Sequence, residues 1–207
     1  MKKIALIFCT LTSLSSIGQS SLNSEQINSS GWFSLGARST ISTFGGEGLG
    51  IGAGGQFRIQ LSNRVNTEWF ADYISINMDD KVRSEYTHIG WSVMFYPFKN
   101  LQFPKVFQPY VLAGHCFDYN RKTIIENGEF RDRWGSAVQM GIGTHFNLTE
   151  RFDISLSFQY MIHLTTELHA EMDSNPIEII EEKHATLQGH MLSTVSMSYK
   201  IGKLWKK

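Results

Sequence analysis

The chain of 207 residues carries 19 basic and 19 acidic residues, so its formal net charge is zero. A balanced charge argues against nucleic-acid binding, which requires a basic surface. Aromatic residues make up 13% of the chain and there are only 4 prolines, which excludes a collagen-like or disordered composition.

The N-terminus is typical of a secretory signal peptide. Two lysines precede a short apolar run from Ile4 to Leu11, and small residues lie just ahead of a cleavage position before Gln19. The apolar run is too short to cross a membrane as a helix. We therefore predict an exported protein with a signal peptide at 1–18, a short flexible segment at 19–30 and one domain over 31–207.

Five stretches of the remaining chain alternate cleanly between apolar and polar residues with period two, the pattern of β-strands that have one apolar face, and three further stretches alternate less cleanly. The clearest is 49–62, where leucine, isoleucine and phenylalanine alternate with glycine, glutamine and arginine. For the fifth stretch, 107–117, the pattern does not show which face of the strand points inward. The predicted strands, in chain order, are 31–38, 49–62, 67–76, 87–95, 107–117, 136–146, 152–163 and 190–201.

Short and long connections take turns along the chain. Only residues 62–65 and 147–151 separate their neighbouring strands, although 97–105 at the same predicted end is longer and contains two prolines. In an up-and-down meander, alternate connections emerge at the same end. Transmembrane barrels show this asymmetry, with short periplasmic turns and long outer loops. The predicted outer loops are 39–48, 77–85, 118–133 and 165–185.

The polar face of these strands has the composition expected inside a narrow barrel. It holds repeated glycines and a small set of charged residues that could pair across a closed interior. These charged residues are Arg38, Arg58, Glu68, Asp72, Asp153 and Lys200.

The apolar face carries almost no charge, and aromatic residues recur near strand ends, as in the girdles of membrane barrels. These residues are Phe57, Trp69, Phe95, Tyr110, Phe146, Phe152 and Tyr199. Alternation alone also allows an apolar sandwich core. Export, loop asymmetry and strand number together favour an all-β fold, an eight-stranded antiparallel up-and-down transmembrane β-barrel.

Three segments resemble the small OmpA/OmpX-like outer-membrane β-barrels of Gram-negative bacteria: QPYVLAGHC (108–116), GIGTHFNLTERFDISLSFQY (141–160) and STVSMSYKIGKLWKK (193–207). The resemblance implies eight strands in outer-membrane lipid, placement by the barrel insertion machinery, and outer loops that differ between members. Such barrels commonly end on an aromatic residue, whereas here Lys206 and Lys207 follow Trp205.

Five histidines fall on the predicted inward face, and all except His145 lie toward the outer loops. Clustered imidazoles could bind zinc. No paired-cysteine or HExxH spacing supports such a site, and we favour interior polar residues that hydrogen-bond across the lumen. The five are His88, His115, His145, His163 and His190.

A lipid-modifying enzyme would need a serine, a histidine and an acid. His88 with Ser92, or His190 with Ser193, could supply the pair, and Glu167 or Glu171 the acid. An even offset places His88 and Ser92 on one face, while an odd offset separates the second pair. No G-x-S-x-G elbow is present.

The sequence therefore predicts no catalytic residue, no cofactor and no metal. The predicted role is structural in the envelope, or the binding of an extracellular partner through the loops at 118–133 and 165–185. Two alternatives stay open: an outer-membrane lipid-modifying enzyme, and a soluble secreted β-barrel that binds a small apolar ligand. Cys116 is interpreted as a small apolar residue rather than a reactive thiol.

Overall fold

The computed structural model describes residues 30–44, 48–98, 106–166, 168–172, 174, 176–181 and 189–205. The signal peptide predicted at 1–18 lies outside the described residues, as do almost all of 19–30 and the last two lysines. Within the described part of the chain, no helix has the length and apolarity that a membrane crossing by a helix requires.

The described residues form ten strands, of which eight close into a barrel. The barrel order is β1-β10-β7-β6-β5-β4-β3-β2, with every neighbouring pair antiparallel, while β8 and β9 form a separate two-stranded sheet. This closed meander confirms the predicted fold class. The strands are β1 Trp32–Phe44, β2 Gly48–Gln60, β3 Val65–Met78, β4 Val82–Phe95, β5 Phe107–Ile124, β6 Phe130–Asn147, β7 Phe152–His163, β8 Leu168–Glu171, β9 Glu178–Glu181 and β10 Gly189–Lys203.

Several strands run further toward the outer end than the sequence pattern predicts. β5 and β6 stay paired up to Thr123 and Phe130, so the loop predicted at 118–133 is wrong and only 125–129 connects them. The pattern ends early because outward residues beyond the lipid need not be apolar, although backbone pairing continues.

Strands also occupy much of the other predicted outer loops. β1 ends at Phe44 and β2 begins at Gly48, so most of 39–48 is strand. β3 and β4 leave only a turn at 79–81 in place of 77–85. The segment 165–185 contains β8 and β9, which we call the mouth hairpin.

The two faces of the barrel are inverted relative to a soluble protein, as predicted. Ile51 on β2 is 62% exposed, whereas Arg58 on the same strand is 3% exposed. Outward side chains along β7 and β10 are likewise mostly apolar and accessible, and their inward neighbours are mostly buried and polar. This outer surface is suited to lipid, and it excludes the soluble alternative.

The structure decides the face of β5 and corrects two assignments. Tyr110 and Cys116 point into the lumen, so Tyr110 does not belong to the predicted aromatic girdle. His115 lies on the outward face between Trp91 and Val138, and its Nε2 is 2.8 Å from the Ser136 hydroxyl. The prediction that His115 faces inward is therefore wrong.

Inward glycines allow neighbouring backbones and side chains to fill the narrow lumen. A Cβ atom at Gly54 would overlap the Ala71 carbonyl oxygen and the Asp72 carboxylate. The next residue, Gly55, faces outward, and there a Cβ would meet only the Gly36 carbonyl oxygen at 3.8 Å. Neighbouring glycines thus differ sharply in their tolerance of a side chain.

We expect Gly54→Ala to lower the free energy of unfolding by about 1–3 kcal/mol, because an extra methyl group overpacks the lumen. Gly55→Ala is the matched control and should change it little. Urea titration of the detergent-refolded protein, followed by tryptophan fluorescence, measures both. Equal effects of the two substitutions would contradict the face assignment.

Candidate functional site

An ion pair crosses the lumen near the end of the barrel that carries the turns 61–64 and 148–151, which we call the short-turn end. Nη2 of Arg58 on β2 donates to both carboxylate oxygens of Asp153 on β7, at 2.5 and 2.7 Å. Nη1 of Arg58 lies 3.0 Å from Nδ1 of His145, whose Nε2 lies 3.0 Å from the Tyr96 hydroxyl. Both charged groups are at most 3% exposed. The network therefore fixes β2, β6 and β7 to one another across the interior.

A second ionic group lies above the first. Arg38 on β1 pairs with Glu68 at 3.2 Å and with Asp72 at 3.0 Å, both on β3. Its guanidinium also covers the ring of Phe70 at 4.4 Å. Five of the six predicted inward charges, all except Lys200, are thus paired inside the barrel, which offsets the cost of burying them.

Amide and hydroxyl side chains fill the middle of the lumen. Nε2 of Gln56 donates to the hydroxyls of Ser196 and Ser198 at 3.2 and 3.0 Å. Nε2 of Gln139 donates to the hydroxyl of Ser92 at 2.8 Å. Such contacts between strands leave an eight-stranded barrel packed by side chains rather than open as a channel.

Three histidines and one carboxylate form a cluster nearer the outer end. Asp118 on β5 lies 2.8 Å from Nδ1 of His163 and 3.2 Å from Nε2 of His88. Nε2 of His163 lies 3.0 Å from Nδ1 of His190, with their rings stacked. Three of the four histidines predicted near the outer loops are therefore brought together, and they link β4, β5, β7 and β10.

The histidine nitrogens face the Asp118 carboxylate and one another. Among the described residues, no group of three or more histidine, cysteine, aspartate or glutamate side chains has the arrangement of a metal site. The arrangement instead joins β5, β7 and β10 through Asp118, His163 and His190, and it brings His88 of β4 within 3.2 Å of Asp118. Sequence spacing could not reveal it, because the partners lie on strands far apart in the chain.

The upper lumen contains an apolar core that the sequence analysis missed. Its inward residues meet the partly buried Ala170, Met172 and Ile177 of the mouth hairpin and its turn. The signal was present in β3, where the inward phase changes from charged to aliphatic residues. The core residues are Phe70, Ile74, Ile76, Met78, Val82, Tyr86, Cys116, Ala137, Met161 and Leu192.

Polar contacts hold the mouth hairpin to the barrel rim. Arg133 on β6 pairs with Glu181 on β9 at 3.5 Å and donates to the Thr166 hydroxyl. The Thr166 hydroxyl in turn donates to the Glu181 carboxylate at 2.8 Å. The hairpin therefore covers the outer mouth through an apolar inner side and a polar attachment.

Two small cavities lie at the ends of the lumen. One, of about 10 Å³, is next to Asp118 and His163 under the outer mouth. The other, of about 30 Å³, is next to Arg58 and Lys200 at the short-turn end. Volumes of this size hold one or a few water molecules rather than a diffusing solute.

No family model and no curated protein matches the chain. A major outer membrane protein from Thermus thermophilus matches with a TM-score of 0.54 and 7% identity, over 82% of this chain and 99% of that chain. Neisserial surface protein A matches with a TM-score of 0.51 and 12% identity, over 82% and 96%. The chain has the fold of small outer-membrane β-barrels. The resemblance drawn from the sequence is thereby confirmed at the level of fold.

The serine and histidine pairs considered for catalysis are not assembled. The Ser92 hydroxyl accepts a hydrogen bond from Nε2 of Gln139, and His88 faces Asp118 instead. Ser193 points outward, whereas His190 points into the lumen. The structure therefore brings neither pair together.

The described residues include one of the two acids considered with these pairs. Glu167 lies outside the described residues, and Glu171 is exposed at the end of β8. Cys116 is buried, with its sulfur 3.8 Å from that of Met161, as expected for a small apolar residue.

We expect Asp153→Asn to lower the free energy of unfolding by about 3–5 kcal/mol, because it leaves the buried Arg58 charge without a counter-charge. Asp132→Asn removes a carboxylate from the exposed pair with Arg121 and is the control, since exposed pairs contribute little. Guanidinium titration in detergent micelles compares the two. A small effect of both substitutions would show that the ion pair in the lumen is not structural.

Proposed function

We propose that the protein is a bacterial outer-membrane barrel without catalytic activity. It has a structural role in the cell envelope and binds an extracellular partner through its outer surface. By outer surface we mean the outward side chains of 119–134 together with the mouth hairpin. The observation that carries this proposal is that the central strands continue beyond the lipid-facing band while the mouth above them is covered.

The height of the lipid-facing band follows from β5. Its outward residues are apolar or aromatic from Phe107 to Phe117, apart from His115, and then become Tyr119, Arg121 and Thr123. Ten residues of a strand tilted by about 40° rise about 25 Å, which is the height of the apolar band in such barrels. Arg121 therefore stands roughly 10 Å above the hydrocarbon.

The surface above the band combines aromatic rings with paired charges. The Tyr119 hydroxyl donates to Asp132 at 2.7 Å, and Arg121 donates to the same carboxylate at 3.1 Å. These two hydrogen bonds lower the pKa of Asp132 below its usual value, with the tyrosine bond as the larger cause. Arg121 also covers the exposed ring of Phe130 at 4.6 Å, and the ring of Trp134 lies 5.1 Å from that of Tyr119.

Such a surface suits recognition of another molecule. Tyrosine, tryptophan and arginine contribute most of the binding energy at many protein interfaces. The lumen is filled by paired side chains, and the candidate catalytic pairs are apart, which supports binding on the outside over chemistry or passage within. The role of the segment 165–185 in partner binding stays part of this proposal.

The partner-binding role can be tested on cells that display the protein. A Gram-negative host expressing the chain should adhere to immobilised extracellular-matrix proteins or cultured epithelial cells more than the empty host does. Replacing 165–185 with a short Gly-Ser turn, or making Phe130→Ser with Trp134→Ser, should reduce adhesion at least about fivefold by removing anchor contacts.

Phe98→Ser is the matched control, because Phe98 is an exposed aromatic residue at the opposite end. Heat-modifiable migration on unboiled gels verifies that each variant is inserted and folded. Adhesion no greater than that of the empty host, or unchanged in the Phe130/Trp134 variant, would contradict a binding role of the outer surface.

The absence of catalysis has a separate test. Expression should leave the mass spectra of lipid A and of phospholipids unchanged, because neither serine–histidine pair is assembled. A catalytically active outer-membrane lipid A deacylase, expressed in the same host, shows that a change is detectable. A new acylation or head-group pattern that depends on His88 or His190 would establish the enzyme alternative instead.

A further inference from the structure

The lumen opens at the short-turn end into a polar cavity, which we call the inner cup. Its walls come from β1, β2, β3, β5, β6, β7 and β10, and they include Trp32, Arg58, Asn66, Gln108, Asn147 and Lys200. Its volume of about 30 Å³ gives room for one charged or polar group of a ligand, with the rest of the ligand outside the cavity.

The inner cup carries one positive charge beyond its internal pairing. Arg58 is neutralised by Asp153, which is the one carboxylate among the described residues that line the cup. No carboxylate of the described residues lies within ion-pair distance of Lys200, whose ammonium group donates to the Glu150 carbonyl oxygen at 3.3 Å. An ammonium held on a backbone carbonyl can still attract an anion.

The other described charged residues around the cup add to its positive charge. Arg64, Arg151 and Lys203 surround the short-turn end, against the exposed carboxylate of Glu150. The field of several like charges around an opening raises the local concentration of oppositely charged solutes. The end as a whole therefore favours anions.

Two buried polar atoms lining the cup have no hydrogen-bond partner within the described part of the protein. They are Nε of Arg58, a donor, and Oδ1 of Asn66, an acceptor, on side chains that are 3% and 5% exposed. Buried polar atoms are nearly always satisfied, so these two are met by water or by a ligand group that displaces it. That partner must both accept and donate hydrogen bonds.

We propose that the inner cup binds the carboxylate of an acidic amino sugar that also carries hydroxyl and amide donors, the chemistry of cell-wall fragments. Lys200 supplies the charge, Arg58 Nε the donor and Asn66 Oδ1 the acceptor, while Trp32 provides an apolar side. That the cup faces the cell wall rests on the proposed outer-membrane orientation, whereas the binding itself does not.

A pair of matched sugars tests the charge requirement. N-acetylmuramic acid differs from N-acetylglucosamine by a lactyl group that carries a carboxylate. Isothermal titration of the full-length mature protein, refolded in neutral detergent at low salt, should give about tenfold tighter binding of the acid. A factor of ten is what one charge-assisted hydrogen bond supplies.

Variants at two lysines distinguish binding in the inner cup from a general effect of positive charge. Lys200→Gln should abolish the preference for the acid, and Lys200→Arg should preserve it. Lys81→Gln, the control, removes the same charge from the exposed turn at the opposite end and should leave it unchanged. Heat-modifiable migration verifies the fold of each variant.

The result that overturns the proposal is equal affinity for the two sugars, or a preference that survives Lys200→Gln. Glycerol 3-phosphate serves as the third probe, because an anion could also come from a lipid head group. Tighter, Lys200-dependent binding of this phosphate than of the sugar acid would overturn the cell-wall assignment. These titrations use no cells, so their failure is distinct from a failure of the adhesion test.

Discussion

The pairing of β1 with β10 is the constraint on which the rest of the structure depends. Hydrocarbon offers no hydrogen-bond partner to a strand edge, so a sheet in lipid must close on itself. Here the first and last barrel strands pair from Trp32 with Lys203 to Thr43 with Met191. Closure with eight strands leaves a lumen only as wide as its side chains, and every inward residue must fit and find a partner there.

That narrow lumen is divided in a way that gives the two ends different properties. The half near the short turns holds the ion pairs of Arg58 and Arg38, and it ends in a cationic cup. The half near the outer mouth changes to aliphatic side chains and is covered by the mouth hairpin. The two ends of the lumen therefore differ in their chemistry.

Much of this architecture could be predicted from the sequence because lipid imposes a strict alternation. The number of strands, their approximate positions and the inward position of Arg58, Asp153 and Lys200 all follow from it. The prediction of strand length failed above the hydrocarbon, where lipid no longer requires outward residues to be apolar. Above the hydrocarbon, the outward Tyr119 and Arg121 are as polar as a loop, so β5 was predicted too short. On the rest of β5 both phases are apolar, so the outward position of His115 was not readable.

The candidate sites were less predictable than the fold for a different reason. Which inward residues meet depends on strand order and shear, which period-two alternation does not encode. Asp118 therefore could not be assigned to His88 and His163 beforehand, nor could Asn66 and Lys200 be placed in one cup. The apolar upper core carried a readable signal in Ile74 of β3.

The most direct test of the account is the surroundings of two adjacent residues on β10. Single cysteines at Val195 and Thr194, in a Cys116→Ala background, would carry a bimane label in vesicles that contain brominated acyl chains. Because side chains alternate along a strand, the label at Val195 should be strongly quenched and the label at Thr194 should not. Strong quenching at Thr194 with protection at Val195 would contradict the inverted arrangement of the two faces.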